Sequence, residues 1–373
     1  MKYIKMFLAS SVTEFQQEQH ELGDFIRSLN DIYTQNNMDI YLELSTSGDF
    51  AAADAAALAD CRPQICGSQF FYVLFGRMAD RAAVEQFDTA IKQNRVSGDP
   101  QIYTYFVQIP EGERAEQGVY DFMQRLDEQL GHYYSTFSHL DSVKLNILIE
   151  LARKASVQNV VTFEDGQALL NGQKALSLEN VPLYSKNESV QRLTHEKKEL
   201  DQKFSELVEE CGRHQDKSRF RDQISDLDAQ RKQVADQLHQ LEKDILNLCR
   251  EITEKQSSGR KMNWREKQAI QLMEKGDSEG ARMLLHDPVW KQEIVHAEEN
   301  IETEKEKIRE YISGKRTLIS NLKTNVNAEN ARKITDIYAE ITQLAEKYQM
   351  ELDVLMEYAR FLYDQRQYPG MGV

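Results

Sequence analysis

Short apolar runs alternate with amphipathic helical patterns over residues 1–155. The runs are Tyr3–Leu8, Ile40–Leu44, Phe70–Phe75 and Ile102–Val107. Strands separated by helices indicate βαβ units and a parallel sheet. The run Phe70–Phe75 is apolar throughout, which is typical of a central strand covered on both faces. Residues 1–155 are therefore predicted to form an α/β domain.

A helix is predicted directly after the first run. Thr13 and Gln16 have the spacing of a capping box, which predicts that the helix begins beside Thr13. Leu22, Phe25 and Leu29 recur at helical spacing and supply a face that the domain core can bury.

Residues 156–187 predict a small β-hairpin connector. The apolar runs Val160–Phe163 and Ala168–Leu170 flank Glu164-Asp165-Gly166, and Asn171-Gly172 is a second turn signal.

Residues 188–257 have the pattern of a coiled coil. Leucine recurs every seven residues at Leu193, Leu200 and Leu207. A stronger pattern of alternating three- and four-residue spacing follows, at Ile224, Leu227, Val234, Leu238, Leu241, Ile245, Leu248 and Ile252. Arg231 is the one polar residue in these positions. The break near Gly212 allows an antiparallel hairpin, and a dimeric coil is equally allowed.

Residues 258–373 are also predicted to be helical. A short helical hairpin turns at Lys275-Gly276-Asp277, and a third amphipathic stretch runs from Ile294 to Leu322.

Composition and charge narrow the class of protein. The chain has 373 residues, which favours two or three domains, and 61 acidic residues against 46 basic ones give a formal charge of −15. Such a balance argues against a nucleic-acid binder, which needs a basic surface to neutralise phosphates. The four cysteines form neither a disulfide framework nor a zinc pattern, so no metal is expected. The sequence contains no membrane-length apolar run and no signal peptide, which favours a cytoplasmic protein.

Several motifs resemble a family of bacterial TIR-like N-terminal domains of unknown function. The resemblance lies in Phe7–Phe15, Glu21–Ile26, Phe71–Gly76, Val84–Ala90 and His132–Phe137. Family members often continue into a coiled coil and then tetratricopeptide (TPR) repeats.

The segments Gly276–Ala281 and Leu362–Tyr368 resemble parts of TPR helices. The resemblance therefore predicts a TPR-like region over residues 258–373 that ends in the middle of a repeat, before an array found in relatives.

The TIR resemblance implies a flavodoxin-like sheet with a nucleotide crevice at the carboxyl ends of its strands. This is also where open α/β sheets generally bind ligands. Ser10 and Ser11 leave the first strand and are candidates for binding a phosphate or ribose. Ser47 and Gly48 occupy the loop that lies beside the ligand site in TIR domains. Gly76 follows the third strand, where a missing side chain lets a ligand approach the backbone.

Enzymatic TIR domains resemble one another in a glutamate four residues before a small residue, and that glutamate holds the ribose next to nicotinamide. Counting back from Ala90 gives Gln86, a neutral amide, and the neighbouring acid is Glu85. Gln86 is an inactivating substitution, a natural loss of activity, or a sign that the alignment slips by one residue. In the last case Glu85 is the catalytic residue.

Two functions of different classes follow. The resemblance implies an NAD-cleaving hydrolase of the kind found in bacterial antiphage defence, with NAD as substrate, no resident cofactor, and regulation by self-assembly. The alternative is a non-catalytic scaffold whose coils and TPR-like helices form a homo-oligomer and recruit a protein partner. A nucleoside deoxyribosyltransferase-like enzyme is a third reading, because that fold uses a similar carboxylate for the same glycosidic chemistry.

Overall fold

The computed structural model describes residues 1–50, 61–110, 112–154, 159–213, 218–257, 262–286, 301–325, 327–348 and 356–362. The chain divides into two compact units. The first comprises Met1–Thr162, Gln167–Val181 and Cys249–Lys275, and the second comprises Phe163–Gly166, Pro182–Leu248 and Gly276–Val373.

A parallel five-stranded sheet forms the centre of the first unit. Its strands are β1 (Lys2–Ser10), β2 (Ile40–Thr46), β3 (Phe70–Phe75), β4 (Gln101–Val107) and β5 (Tyr134–Phe137). Their order is β2-β1-β3-β4-β5, and every neighbouring pair is parallel. This is the order of flavodoxin-like doubly wound folds, so the predicted fold class is confirmed. The direction of winding reverses between β1 and β3.

Helices cover both faces of this sheet. They are α1 (Gln16–Gln35), α2 (Arg62–Cys66), α3 (Arg81–Ser97), α4 (Gln117–Gln124) and α5 (Asp141–Arg153). On one face, the aromatic rings of Phe7 and Phe71 stack with centroids 5.8 Å apart, within a core that includes Phe87 of α3 and Phe122 of α4. The strand β3 is buried along its whole length, as its uniformly apolar sequence predicts.

The opposite face of the sheet carries buried tyrosines and a polar network. Tyr72 of β3 donates to Asn146 of α5 at 3.3 Å. The side chain of Asn146 in turn donates to Gln256 at 2.9 Å. Gln256 lies near the end of α8 (Ser218–Ser257), whose last nine residues belong to the first unit. A polar group buried here needs hydrogen-bond partners, and these residues supply one another.

The connector contains a second, three-stranded sheet. Its strands are β6 (Val161–Glu164), β7 (Gln167–Leu170) and β8 (Gln173–Ser177), in that order. The strands β7 and β8 are antiparallel, and Asn171 and Gly172 between them both adopt positive φ, as a tight hairpin turn requires.

The second unit is mostly helical. It contains the short helix α6 (Pro182–Ser185), α7 (Glu188–Arg213), most of α8, α10 (Ser278–Leu285), α11 (Ile301–Lys323) and α12 (Ala328–Lys347), whereas α9 (Trp264–Glu274) belongs to the first unit. Residues 287–300, which include the predicted heptad position Ile294, and residues 363–373 lie outside the described residues. Across the ranges that the structure describes, no helix combines the length and apolar character needed to cross a bilayer.

The helices α7 and α8 contact each other within one chain. Arg231 of α8 donates to Asp201 of α7 at 2.6 Å, and its guanidinium lies 4.2 Å from the ring centroid of Phe204. Only residues 214–217 separate the two helices, so they run antiparallel. The structure therefore shows the intramolecular hairpin, one of the two arrangements that the heptad pattern allows.

The predicted capping box at the start of α1 is wrong. The helix begins at Gln16, with Phe15 at the N-cap position and no side-chain cap. The Thr13 hydroxyl lies 3.1 Å from the Ser11 hydroxyl. The side chain that would cap the helix is therefore engaged within the loop after β1.

Candidate functional site

The candidate site lies at the carboxyl ends of β1, β2 and β3. Ser10 is the last residue of β1 and stands in register with Leu74 of β3, two residues before Gly76. Because strand order reverses between β1 and β3, the loops that leave these strands diverge to opposite faces of the sheet. Open α/β folds bind ligands in the crevice that such divergence creates.

Ser10, Ser47 and Gln86 come together in this structure. The backbone N–H of Ser10 donates to the Ser47 hydroxyl at 3.2 Å, and that hydroxyl donates to the side-chain oxygen of Gln86 at 2.8 Å. All three residues are buried. Residues from β1, from the turn after β2 and from α3 thus form one hydrogen-bonded group.

The amide of Gln86 is engaged at both ends. Its oxygen accepts from Ser47, and its nitrogen lies 3.7 Å from the sulfur of Cys61. Ala90, four residues further along α3, is also buried on the face that packs against the sheet. Position 86 therefore faces the sheet edge, where its amide binds protein groups.

Gln19 of α1 supports the same group from the other side. Its side-chain nitrogen donates to the Ser10 hydroxyl at 2.9 Å. Its side-chain oxygen lies so close to Gly48 that a Cβ at that position would come within 2.5 Å of it. A side chain at position 48 would therefore displace the Gln19 side chain from this position.

Ser11 lies beside this group but bonds elsewhere. Its side chain is buried, and its hydroxyl lies 3.1 Å from that of Thr13. The Ser11 carbonyl accepts from the backbone N–H of Phe15 at 3.0 Å. These contacts shape the loop between β1 and α1.

Glu85 points away from the site. Its carboxylate accepts from the Arg81 side chain at 2.8 Å on the solvent-exposed face of α3. Neighbouring residues on a helix diverge by about 100°, so Glu85 and Gln86 cannot face the same group. The structure brings Gln86 to Ser10 and Ser47 and leaves Glu85 outside.

Glu14 is the acidic residue of this region that sequence reasoning missed. Its Oε1 accepts from the backbone N–H of Arg77 at 2.6 Å, so it reaches from the loop after β1 to the end of β3. A Cβ on Gly76 would lie 2.3 Å from the Glu14 carboxyl carbon. The missing side chain at Gly76 therefore admits the Glu14 carboxylate. The one available sequence signal was an acid on the first strand-to-helix loop.

Burial strongly shifts the pKa values of one histidine and one glutamate in the first unit. Burial lowers the pKa of His132 to about 4, with a further contribution from Lys267. Burial raises the pKa of Glu274 to about 8, against the opposing effect of hydrogen bonds from Ser135, Tyr133 and the backbone of Thr136. At neutral pH both groups are therefore mainly uncharged.

Comparisons with models of protein families, with curated proteins and with solved structures gave no significant match to this chain. The geometry of the site and the chemistry of its residues therefore carry the functional argument.

Proposed function

We propose that the sheet domain is a TIR-like domain that binds NAD at the ends of β1, β2 and β3 and cleaves its N-glycosidic bond. The observation that carries the proposal is the convergence of Ser10, Ser47 and Gln86 at the point where strand order reverses. Hydroxyl and amide groups are suited to the hydroxyls of a ribose, and this edge is where such folds bind nucleotides.

The reaction breaks the bond between C1′ of the ribose and the nicotinamide nitrogen. The electron pair leaves with nicotinamide, and water adds to C1′ with loss of a proton, which gives ADP-ribose. Positive charge develops on the sugar as the bond breaks, and a fixed anion or oriented dipoles beside it stabilise the transition state. The helical region regulates the reaction by self-assembly in this proposal, since apolar heptad positions that are only partly buried, such as Leu207 and Ile224, favour association with another helix.

The test measures nicotinamide release from NAD, and the binding of ADP-ribose by calorimetry. Both measurements are made on the full chain and on its Gln86→Glu variant. We expect the unmodified chain to bind ADP-ribose and to release nicotinamide. A carboxylate at position 86 still accepts from Ser47 but loses the contact with Cys61, so this variant tests whether a charge there adds to the rate. Failure of both chains to bind and to cleave, in dilute and in concentrated solution, would falsify the proposal.

A specific observation also favours the scaffold alternative. Gln86 is neutral, and both ends of its amide already bind protein groups. In that case the domain is inert and the helices recruit a partner. Light scattering on the full chain tests part of this alternative, because a strictly monomeric chain with no binding partner would argue against a scaffold.

A further inference from the structure

The loop between β1 and α1 places an acidic side chain at the point where strand order reverses. Glu14 lies four residues after the end of β1, and its carboxylate is fixed by the backbone N–H of Arg77, two residues after the end of β3. The group therefore bridges the two strands whose loops diverge. Open α/β folds bind their ligands at this point of the sheet, so the Glu14 carboxylate lies where a ligand is expected.

One oxygen of this carboxylate is used by the protein and the other is not. Oε1 accepts the Arg77 N–H, whereas Oε2 is buried and has no hydrogen-bond donor among the described residues. A buried acceptor without a donor costs about 1–3 kcal/mol, so proteins rarely retain one without a purpose. A sugar hydroxyl is a donor of the right kind.

Gly76 is matched to this carboxylate. Any side chain at position 76 would collide with Glu14, since a Cβ would lie 2.3 Å from both the carboxyl carbon and Oε1. The glycine and the acid form a pair in which one residue makes room for the other.

We propose that Glu14 is the carboxylate that contacts the ribose and stabilises its positive charge, in place of a glutamate at position 86. This inference rests on the proposed function and assigns its charged group. Gln86 then serves as a positioning residue that holds Ser47, and the neutral amide at position 86 is no obstacle to catalysis. A carboxylate that accepts from a ribose hydroxyl through Oε2 interacts most strongly with the sugar when positive charge develops there, as the glycosidic bond breaks.

The primary test is Glu14→Gln in the full chain. Glutamine has nearly the same shape, and its oxygen can still accept from Arg77, so the fold is retained and only the charge is lost. We expect at least a 100-fold fall in the rate of nicotinamide release. We also expect weaker binding of ADP-ribose and little change in Tm. Glu18→Gln, the same substitution in the first turn of α1, is the matched control and should leave rate and binding unchanged.

A second variant tests the same interaction in case the Glu14→Gln protein does not fold. Gly76→Ala adds one methyl group that forces the Glu14 carboxylate out of its position. We expect a similar loss of rate, and no further loss when Gly76→Ala is combined with Glu14→Gln, because both changes remove the same interaction.

The outcomes separate the two proposals. If the unmodified chain cleaves or binds and Glu14→Gln does so equally well, Glu14 is not the ribose carboxylate and the proposed function stands. A Gln86→Ala variant that loses activity while Glu14→Gln retains it points to the same conclusion. If the unmodified chain neither cleaves NAD nor binds ADP-ribose, the proposed function fails, and the assignment of Glu14 fails with it.

Discussion

Single residues of the site differ in how well the sequence identified them. The TIR resemblance indicates Gln86 by its spacing of four residues from Ala90, and in the structure Gln86 accepts a hydrogen bond from Ser47. Glu14 lies in a loop with no periodicity, and its position depends on a contact with Arg77, 63 residues away in the chain. Contacts between distant loops leave no local pattern in a sequence.

Glu274 should make the stability of the first unit depend on pH. Its carboxyl accepts from Ser135 at 2.7 Å and from Gln256 at 3.0 Å, and burial raises its pKa from about 4.5 to about 8. Between these values the folded form binds a proton that the unfolded form has released. Stability therefore falls as pH rises from about 4.5 to about 8, by on the order of 5 kcal/mol.

Urea unfolding of the full chain and of Glu274→Gln at a series of pH values measures this effect. The difference between the two chains should grow with pH across that interval and level off above it. His132 acts in the opposite direction, since its lowered pKa costs stability as pH falls below about 6.5, but it is common to both chains and cancels in the difference. A difference that does not change with pH would show that Glu274 is ionised in the folded protein.

At the scale of elements, the sequence predicted the heptad pattern of α7 and α8 but offered no reason for the one polar residue within it. Arg231 interrupts a run of apolar heptad positions, and the structure shows that it contacts Asp201 and Phe204 of the neighbouring helix. The interruption thus has a partner on α7. Residues near the hairpin link, such as Leu207 and Ile224, are only partly buried, whereas Leu238 and Leu241 are fully buried.

Removing Arg231 should weaken this hairpin. We expect Arg231→Ala to lower the free energy of unfolding by about 1 kcal/mol, from a half-exposed ion pair and a cation–π contact. Denaturation followed by circular dichroism measures the loss. Asp201→Ala combined with Arg231→Ala should cost less than the sum of the two single changes. Arg221→Ala, at an exposed position of α8, is the control, and an equal loss from that variant would argue against a specific role for Arg231.

At the scale of the whole molecule, each compact unit is assembled from separate segments of the chain. The first unit combines the sheet domain with Gln167–Val181 and Cys249–Lys275. In that last segment Gln256 bonds to Asn146 of α5, and Glu274 bonds to Ser135 of β5. The residues that complete the tyrosine-bearing face of the sheet therefore come from almost 100 residues further along the chain.

This assembly predicts that residues 1–155 are incomplete as a folding unit. A fragment of residues 1–155 leaves Asn146 and Ser135 without these partners and exposes part of the sheet face. We expect it to bind a hydrophobic dye and to unfold without a sharp transition. A fragment of residues 1–286, which retains all three segments of the first unit, should melt cooperatively. The prediction fails if the shorter fragment melts as sharply as the longer one and at the same temperature.

The sequence by itself determined the kinds of element and the class of fold. Alternating apolar runs and helical patterns predicted a parallel sheet wound with helices, and heptads predicted long paired helices, because both signals arise from local periodicity. Tertiary structure alone decided that Glu14 lies against Gly76, that Glu274 is buried beside Ser135, and that residues 249–275 complete the first unit. Each of these depends on which distant surfaces pack together, and the free energy of such packing is shared among residues that no local pattern connects.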